Sequence, residues 1–208
     1  MEESAAKLAN RAARRNARPA ASFPPPRPRA TFSGMNGPPS TETPRAEVLL
    51  GLGANLGDPR RQLRDAVGRL RALLDGVRVS SVYRSEPVGH REQPDFYNLV
   101  AGGWTRLGPE ALLRGVLEIE RAMGRERTFA NAPRPIDIDV LSYGGRVVRT
   151  PALTLPHPRI AERGFVLHPL AEVAPEWVHP ELRRTARELL SAAPTLERVE
   201  LDGPLFER

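Results

Sequence analysis

The chain has no cysteine and only one lysine, Lys7. The missing thiols exclude disulfides, zinc–thiolate centres and cysteine nucleophiles. Apart from Lys7 the basic residues are arginines. That is a bias of composition, so an arginine is not by itself a ligand. No apolar run approaches the roughly 20 residues of a membrane-spanning helix. The four histidines, His90, His157, His168 and His179, lack H-E-x-x-H spacing, which argues against a zinc hydrolase. The N-terminal stretch lacks the apolar run of about 7–15 residues that marks a secretory signal, and the expected location is cytoplasmic.

A chain of 208 residues suits one domain with a substantial core. The net charge of +6 is unevenly placed. Lys7, Arg11, Arg14, Arg15, Arg18, Arg27, Arg29 and Arg45 stand against Glu2, Glu3 and Glu42, which puts +5 in residues 1–45 and leaves +1 for 46–208. Residues 1–45 are rich in Ala, Arg and Pro, and include Phe23–Pro28, FPPPRP. Such a segment cannot bury enough apolar surface to offset its ordering entropy and is expected to be disordered. Other readings of it are an organelle transit peptide, against which Glu2 and Glu3 stand, an upstream artefact if Met35 is the true start, and a nucleic-acid-binding arm. The folded domain is assigned to 46–208.

What is present centres on Ala132–Tyr143, APRPIDIDVLSY. In an extended strand Asp137 and Asp139 share one face, with Ile136, Ile138 and Val140 on the other. Two like charges side by side repel unless a cation lies between them. A hard divalent ion with oxygen ligands would serve, although a lone D-x-D also occurs on solvated strand faces. Arg134, between Pro133 and Pro135, adds a cation on a stiffened approach. Together these suggest a polyphosphate site.

The remaining segments read as alternating strands and helices. Glu47–Leu52 is a buried strand, leading into a glycine-rich turn that lacks the G-x-x-x-x-G-K-[ST] pattern of a phosphate loop. Asp58 is an N-cap before Pro59, and Leu63, Val67, Leu70 and Leu74 follow at helical spacing up to Asp75-Gly76. Val77–Tyr83 is strand-like, and Ser85–Pro94 is a polar loop. Asp95–Thr105 is a strand with Phe96 and Asn98 on one face and Tyr97 on the other. Phe96 and Asn98 suit ordinary packing, or a stacking platform with an amide for a flat heterocycle. Pro109–Gly124 is a second helix, with Leu112, Val116, Ile119 and Met123 on its apolar face. Arg125, Arg127 and Arg134 flank a loop that could close on phosphates. Gly144-Gly145 and Val147-Val148 suggest a hairpin return after the acidic strand. Phe165–Val173 and Arg183–Ala193 read as helices, and Leu196–Leu201 as a closing strand. The order strand–helix–strand–strand–helix–strand predicts an α+β fold: a ferredoxin-like α/β sandwich, with an antiparallel sheet and helices packed on it.

These motifs together resemble the 6-hydroxymethyl-7,8-dihydropterin pyrophosphokinases of folate biosynthesis. The likeness runs through Gly51–Gly57, Ser81–Ser85, Gln93–Asn98, Ile119–Arg125, Ala132–Val140, Leu155–His157 and Arg163–Phe165, in the family's order. It implies transfer of pyrophosphate from ATP to the pterin's hydroxymethyl oxygen, with release of AMP. It also implies two magnesium ions on Asp137 and Asp139. Phe96 and Phe165 match the aromatics that enclose the pterin, and Asn98, with Ser85 and Val88, matches the groups that read its edge. Arg125, Arg127, Arg134, His157 and Arg163 match positions that hold nucleotide phosphates, and Glu120 matches one near the nucleotide. Asn131, Leu117 and Pro158 stand where members often carry tryptophan, glutamine and tyrosine. The partners implied are ATP and the pterin, acting on a monomer without membrane or nucleic acid. A catalytically inactive pterin binder and a nucleic-acid binder acting through the basic tail are the rival readings.

Overall fold

The computed structural model describes residues 45–89, 92–126, 132–193 and 198–207. The expectations for residues 1–44, Arg127 and Asn131 lie outside the described residues.

Strand β1 (Ala46–Ala54) buries both its faces. Val48, Leu50, Leu52 and Ala54 point into one core, and Leu49 into another. Helix α1 (Pro59–Leu70) begins as its sequence predicts: the Asp58 carboxylate accepts from Arg61 N at 3.0 Å, and proline opens the first turn. Leu63, Ala66, Val67 and Leu70 form its buried stripe. The helix ends at Leu70, not at Asp75-Gly76. Those two residues open β2 (Asp75–Val79), and Gly76 takes a φ of +62° there.

The single strand expected over 77–83 is divided into β2 and β3 (Val82–Ser85), and both pair with β4 (Phe96–Thr105). Ser80 sits at the break. Its backbone N donates to Val100 O at 2.9 Å and its hydroxyl accepts from Val100 N at 3.0 Å, so the break stays anchored to β4. Helix α2 (Pro109–Ala122) buries Leu112, Val116, Ile119 and also Glu120. Strand β5 (Asp137–Tyr143) follows.

The expected hairpin return onto β5 does not form. Gly144 and Gly145 do turn the chain with positive φ, but β6 (Val148–Arg149) pairs with β7 (Thr154–Leu155) in a separate two-stranded sheet. His157 N instead donates to Leu141 O of β5 at 2.9 Å. The chain then forms α3 (Gly164–Val173), α4 (Ala186–Ala192) and β8 (Val199–Gly203). Helix α4 starts on a capping box between Thr185 and Glu188.

The main sheet runs β5-β1-β4-β3-β8, with β2 also paired to β4, and every pairing is antiparallel. Helices α1 and α2 cover one face and share its core with Leu50, Leu99 and Ile138. Helices α3 and α4 cover part of the other face, with Leu49, Val100 and Leu141. The α+β sandwich expected from the element order is therefore present, with a second helical layer on the opposite face. Among the described residues no helix is long and apolar enough to cross a membrane.

Candidate active site

The site lies on the α3 face of the sheet, where strand register brings three short rows together. Gly53 of β1 pairs with Asp137 of β5 on one side and Asn98 of β4 on the other. Gly51 pairs likewise with Asp139 and Val100. Paired residues share a face of the sheet, so each glycine leaves a gap between an acid and a β4 side chain. A Cβ on Gly53 would come within 3.0 Å of Asn98 Oδ1 and 3.9 Å of the Phe96 ring. Gly51 and Gly53 are therefore the floor of a pocket. Both belong to the strand, and the turn expected at Gly53 begins only after Ala54. The two alternating glycines of β1 mark a stretch of strand face without side chains, and the register with β4 and β5 makes that stretch a floor.

Two pockets adjoin here. The first is lined by Gly53, Ser85, Val88, Phe96, Asn98 and Phe165, among others. Phe96 comes from the sheet and Phe165 from the first turn of α3. Asn98 is buried and donates from Nδ2 to Ser85 Oγ at 2.9 Å. Its Oδ1 is turned toward Gly53, on the pocket floor. Tyr97 points the other way, against the α1/α2 core, as the strand alternation predicts. The second pocket is a wider cleft bordered by Glu120, Arg125, His157 and Arg159, with Leu117 and Pro158 in its walls. Arg134, Asp137, Asp139 and Arg163 line both pockets.

Those four shared residues carry the electrostatics. Arg134 binds Asp137 Oδ2 at 2.6 Å, and its guanidinium lies 5.1 Å from the centre of the Phe96 ring. Its Nε is buried with no hydrogen-bond partner among the described residues, a donor that an anionic ligand could satisfy. Arg163 lies 5.4 Å from the Phe165 ring centre. Each ring of the first pocket thus has a guanidinium at its border with the cleft. Arg125 binds both Glu120 and Asp137 Oδ1. Glu120 is only 2% exposed and also accepts from Ile138 N at 2.7 Å. It borders the cleft, but its carboxylate oxygen is engaged in holding Arg125.

Burial raises the Asp139 carboxyl above its usual range, and neighbouring Asp137 raises it further, while His157, Arg163 and Arg134 oppose both. Burial lowers His157 more than Asp139 raises it, which favours the neutral ring. His157 Nδ1 accepts from Arg159 N at 3.3 Å, which leaves the ring proton on Nε2.

The donor set suits a hard divalent ion. Asp137 and Asp139 offer carboxylate oxygens, and the burial cost at Asp139 is one that a bound cation would relieve. Among the described residues no group of three His, Cys, Asp or Glu could hold a metal. An ion seated on these aspartates would complete its shell with water or ligand oxygens, as magnesium commonly does on substrate phosphates.

Asn55 was not among the residues expected from the sequence. Buried in the turn after β1, it accepts from Arg134 N at 2.9 Å. It also donates to Gln93 Oε1 at 2.9 Å and Pro94 O at 3.1 Å. It ties the loop before β4 to the segment that carries Arg134. No local pattern could have revealed a contact between residues this far apart in the chain.

Residues 49–175 match the family model for 7,8-dihydro-6-hydroxymethylpterin-pyrophosphokinase (HPPK). The chain is 45% identical over 158 residues to the 2-amino-4-hydroxy-6-hydroxymethyldihydropteridine pyrophosphokinase of Methylorubrum extorquens, covering 74% of this chain and 98% of that protein. It is 38% identical over 143 residues to the enzyme of the same name from Aquifex aeolicus, covering 69% and 89%. Folic acid synthesis protein FOL1 of Dictyostelium discoideum is 41% identical over 142 residues, 68% of this chain but 22% of that longer protein. The crystal structure of wild-type Plasmodium falciparum HPPK-DHPS superposes with a TM-score of 0.59 at 16% identity, covering 73% of this chain and 45% of that one. That structural likeness concerns the fold.

Proposed function

Since the chain belongs to the 7,8-dihydro-6-hydroxymethylpterin-pyrophosphokinase family, we propose that its two adjoining pockets hold the pterin and ATP side by side. The family's role is pyrophosphoryl transfer in folate biosynthesis, with ATP as co-substrate. The observation that carries the assignment is that Arg134, Asp137, Asp139 and Arg163 line both pockets. Reacting groups from the two pockets would meet at those four side chains.

In this reading the pterin ring lies against Phe96 and Phe165 in the first pocket, and Asn98 Oδ1 accepts from the ring edge. Ser85 holds the Asn98 amide, and Val88 borders the opening. ATP occupies the cleft with its phosphates toward Arg125, Arg134, Arg163 and the Nε2–H of His157. Arg127, which precedes β5 in the sequence, would join them. Glu120 keeps Arg125 directed at the phosphates. Asp137 and Asp139 would hold two magnesium ions, whose charge would offset the negative charge that develops on the phosphate oxygens. The hydroxymethyl oxygen attacks the β-phosphorus, the bond from that phosphorus to the α-phosphate oxygen breaks, and AMP leaves. No protein nucleophile is needed, so the chain's lack of cysteine costs it nothing. All the assigned groups come from one chain, which suits a monomer, and we assign its work to the cytoplasm.

The test is product analysis with purified protein, magnesium and ATP, with and without 6-hydroxymethyl-7,8-dihydropterin. AMP and the pterin diphosphate should form together, and only when the pterin is supplied. ADP as the nucleotide product would refute the reading.

A further inference from the structure

Asp137 and Asp139 are neutralised very unequally. Arg125 takes Asp137 Oδ1 and Arg134 takes Oδ2, whereas Asp139 forms no ion pair among the described residues. Arg134 is also held by groups other than Asp137. Its backbone N donates to Asn55, its side chain to Ala132 O at 3.2 Å, and its guanidinium lies over Phe96. The Arg125 guanidinium comes from beyond the end of α2 and is shared between Asp137 and the buried Glu120. Glu120 is itself fixed by Ile138 N.

We propose that Arg125 is a built-in counter-ion that competes with the divalent cation for Asp137, so that the cation enters with the nucleotide and binds poorly without it. The inference rests on the reading of Asp137 as a metal ligand. A guanidinium on Oδ1 uses lone pairs that a hard cation needs, and its charge opposes a second cation at close range. A polyphosphate removes both obstacles. Its oxygens accept the displaced guanidinium in the bidentate geometry arginine favours, and its negative charge offsets the crowd of cations. Glu120 is the pivot of this exchange. It stays paired with Arg125 after Asp137 is released, so no buried carboxylate is stranded and the guanidinium remains at the edge of the cleft.

The test is a titration of the whole protein with Mn2+, followed by electron paramagnetic resonance, with and without a non-hydrolysable ATP analogue. Wild-type protein should bind Mn2+ weakly alone and much more tightly with the analogue. Arg125→Ala and Arg125→Met should bind Mn2+ alone on the order of tenfold tighter, the scale on which a close like charge acts. They should also bind the analogue more weakly. Arg125→Lys, which keeps the charge, should stay nearer wild type. Adding Asp137→Asn to Arg125→Ala should cancel the gain. Neutral variants that bind Mn2+ alone no tighter than wild type would overturn the proposal while leaving the metal site standing. Failure of wild type to bind Mn2+ even with the analogue would refute the metal-site reading, and the proposal with it. A measurement on the wild type needs no variant to fold. The side-chain NMR signal of Arg125 should move when Mg2+ and the analogue are added together and stay in place with Mg2+ alone. Movement with Mg2+ alone overturns the proposal.

Discussion

Asp139 is held in an environment that disfavours its charge. Burial raises its carboxyl, and Asp137 raises it further. A group raised in this way adds stability below its unfolded value, near 3.9 for a free aspartate, and that stability is lost as pH rises through the folded value. At pH 7 the ionised side chain is therefore a liability to the protein without nucleotide. Asp139→Asn should raise the urea midpoint at pH 7 relative to wild type, shrink that difference toward acid pH, and nearly abolish AMP formation. A lower midpoint at pH 7 would contradict the assignment. Phe96 acts differently, since its ring supplies contact area and no charge. Phe96→Ala should weaken pterin binding by about 1–3 kcal/mol, as loss of aromatic stacking does for bases, with kcat at saturating pterin much less affected. Calorimetry with the pterin and steady-state kinetics separate the two effects. Asp137, Asp139, Phe96 and Asn98 were legible as site candidates because strand alternation places each pair on one face. Asn55 and the pairing of Arg125 with Glu120 and Asp137 were not, because they depend on which loops meet.

At the scale of elements, α3 links the slot of the first pocket to strand β3. It carries Phe165 at one end, and near the other Glu172 accepts from Ser81 N at 3.0 Å, Ser81 Oγ at 2.9 Å and Tyr83 OH at 2.9 Å. Ser81 lies in the break between β2 and β3, and β3 ends at Ser85 in the same slot. One carboxylate therefore sets the helix against the strand. Glu172→Ala should cost about 1–2 kcal/mol in denaturant unfolding, the range for losing such bonds. It should also raise the pterin KM more than it lowers kcat. An unchanged KM would separate the latch from the slot. The two long amphipathic helices, α1 and α2, were readable from their spacing, and the start of α1 from its Asp58 cap, because a period of 3.6 is a local property. The division of the strand expected over 77–83 was not. It depends on Ser80 bonding to Val100, and short strand-like runs carry no record of their partner. The pairing of β6 with β7 escaped for the same reason.

At the scale of the whole molecule, the sheet separates two cores, and the site opens on the face that α3 and α4 cover only in part. The described site residues all lie between Gly51 and Val166. The basic residues 1–44 therefore contribute no described part of it. Protein lacking residues 1–44 should keep its kcat and both KM values in the AMP-release assay. A large loss would mean that the tail belongs to the working domain. Composition and periodicity by themselves determined much: a thiol-free chain, an α+β element order, an acidic strand with one apolar face, and the set of arginines near it. Each of these depends on neighbours a few residues apart, where backbone geometry alone decides which side chains share a face. Only the tertiary structure decided that Gly51 and Gly53 are a floor, that Asn55 joins two loops, and that Asp137 lies between Arg125 and Arg134. Those relations arise from strand register and loop packing between distant segments, which local spacing does not encode.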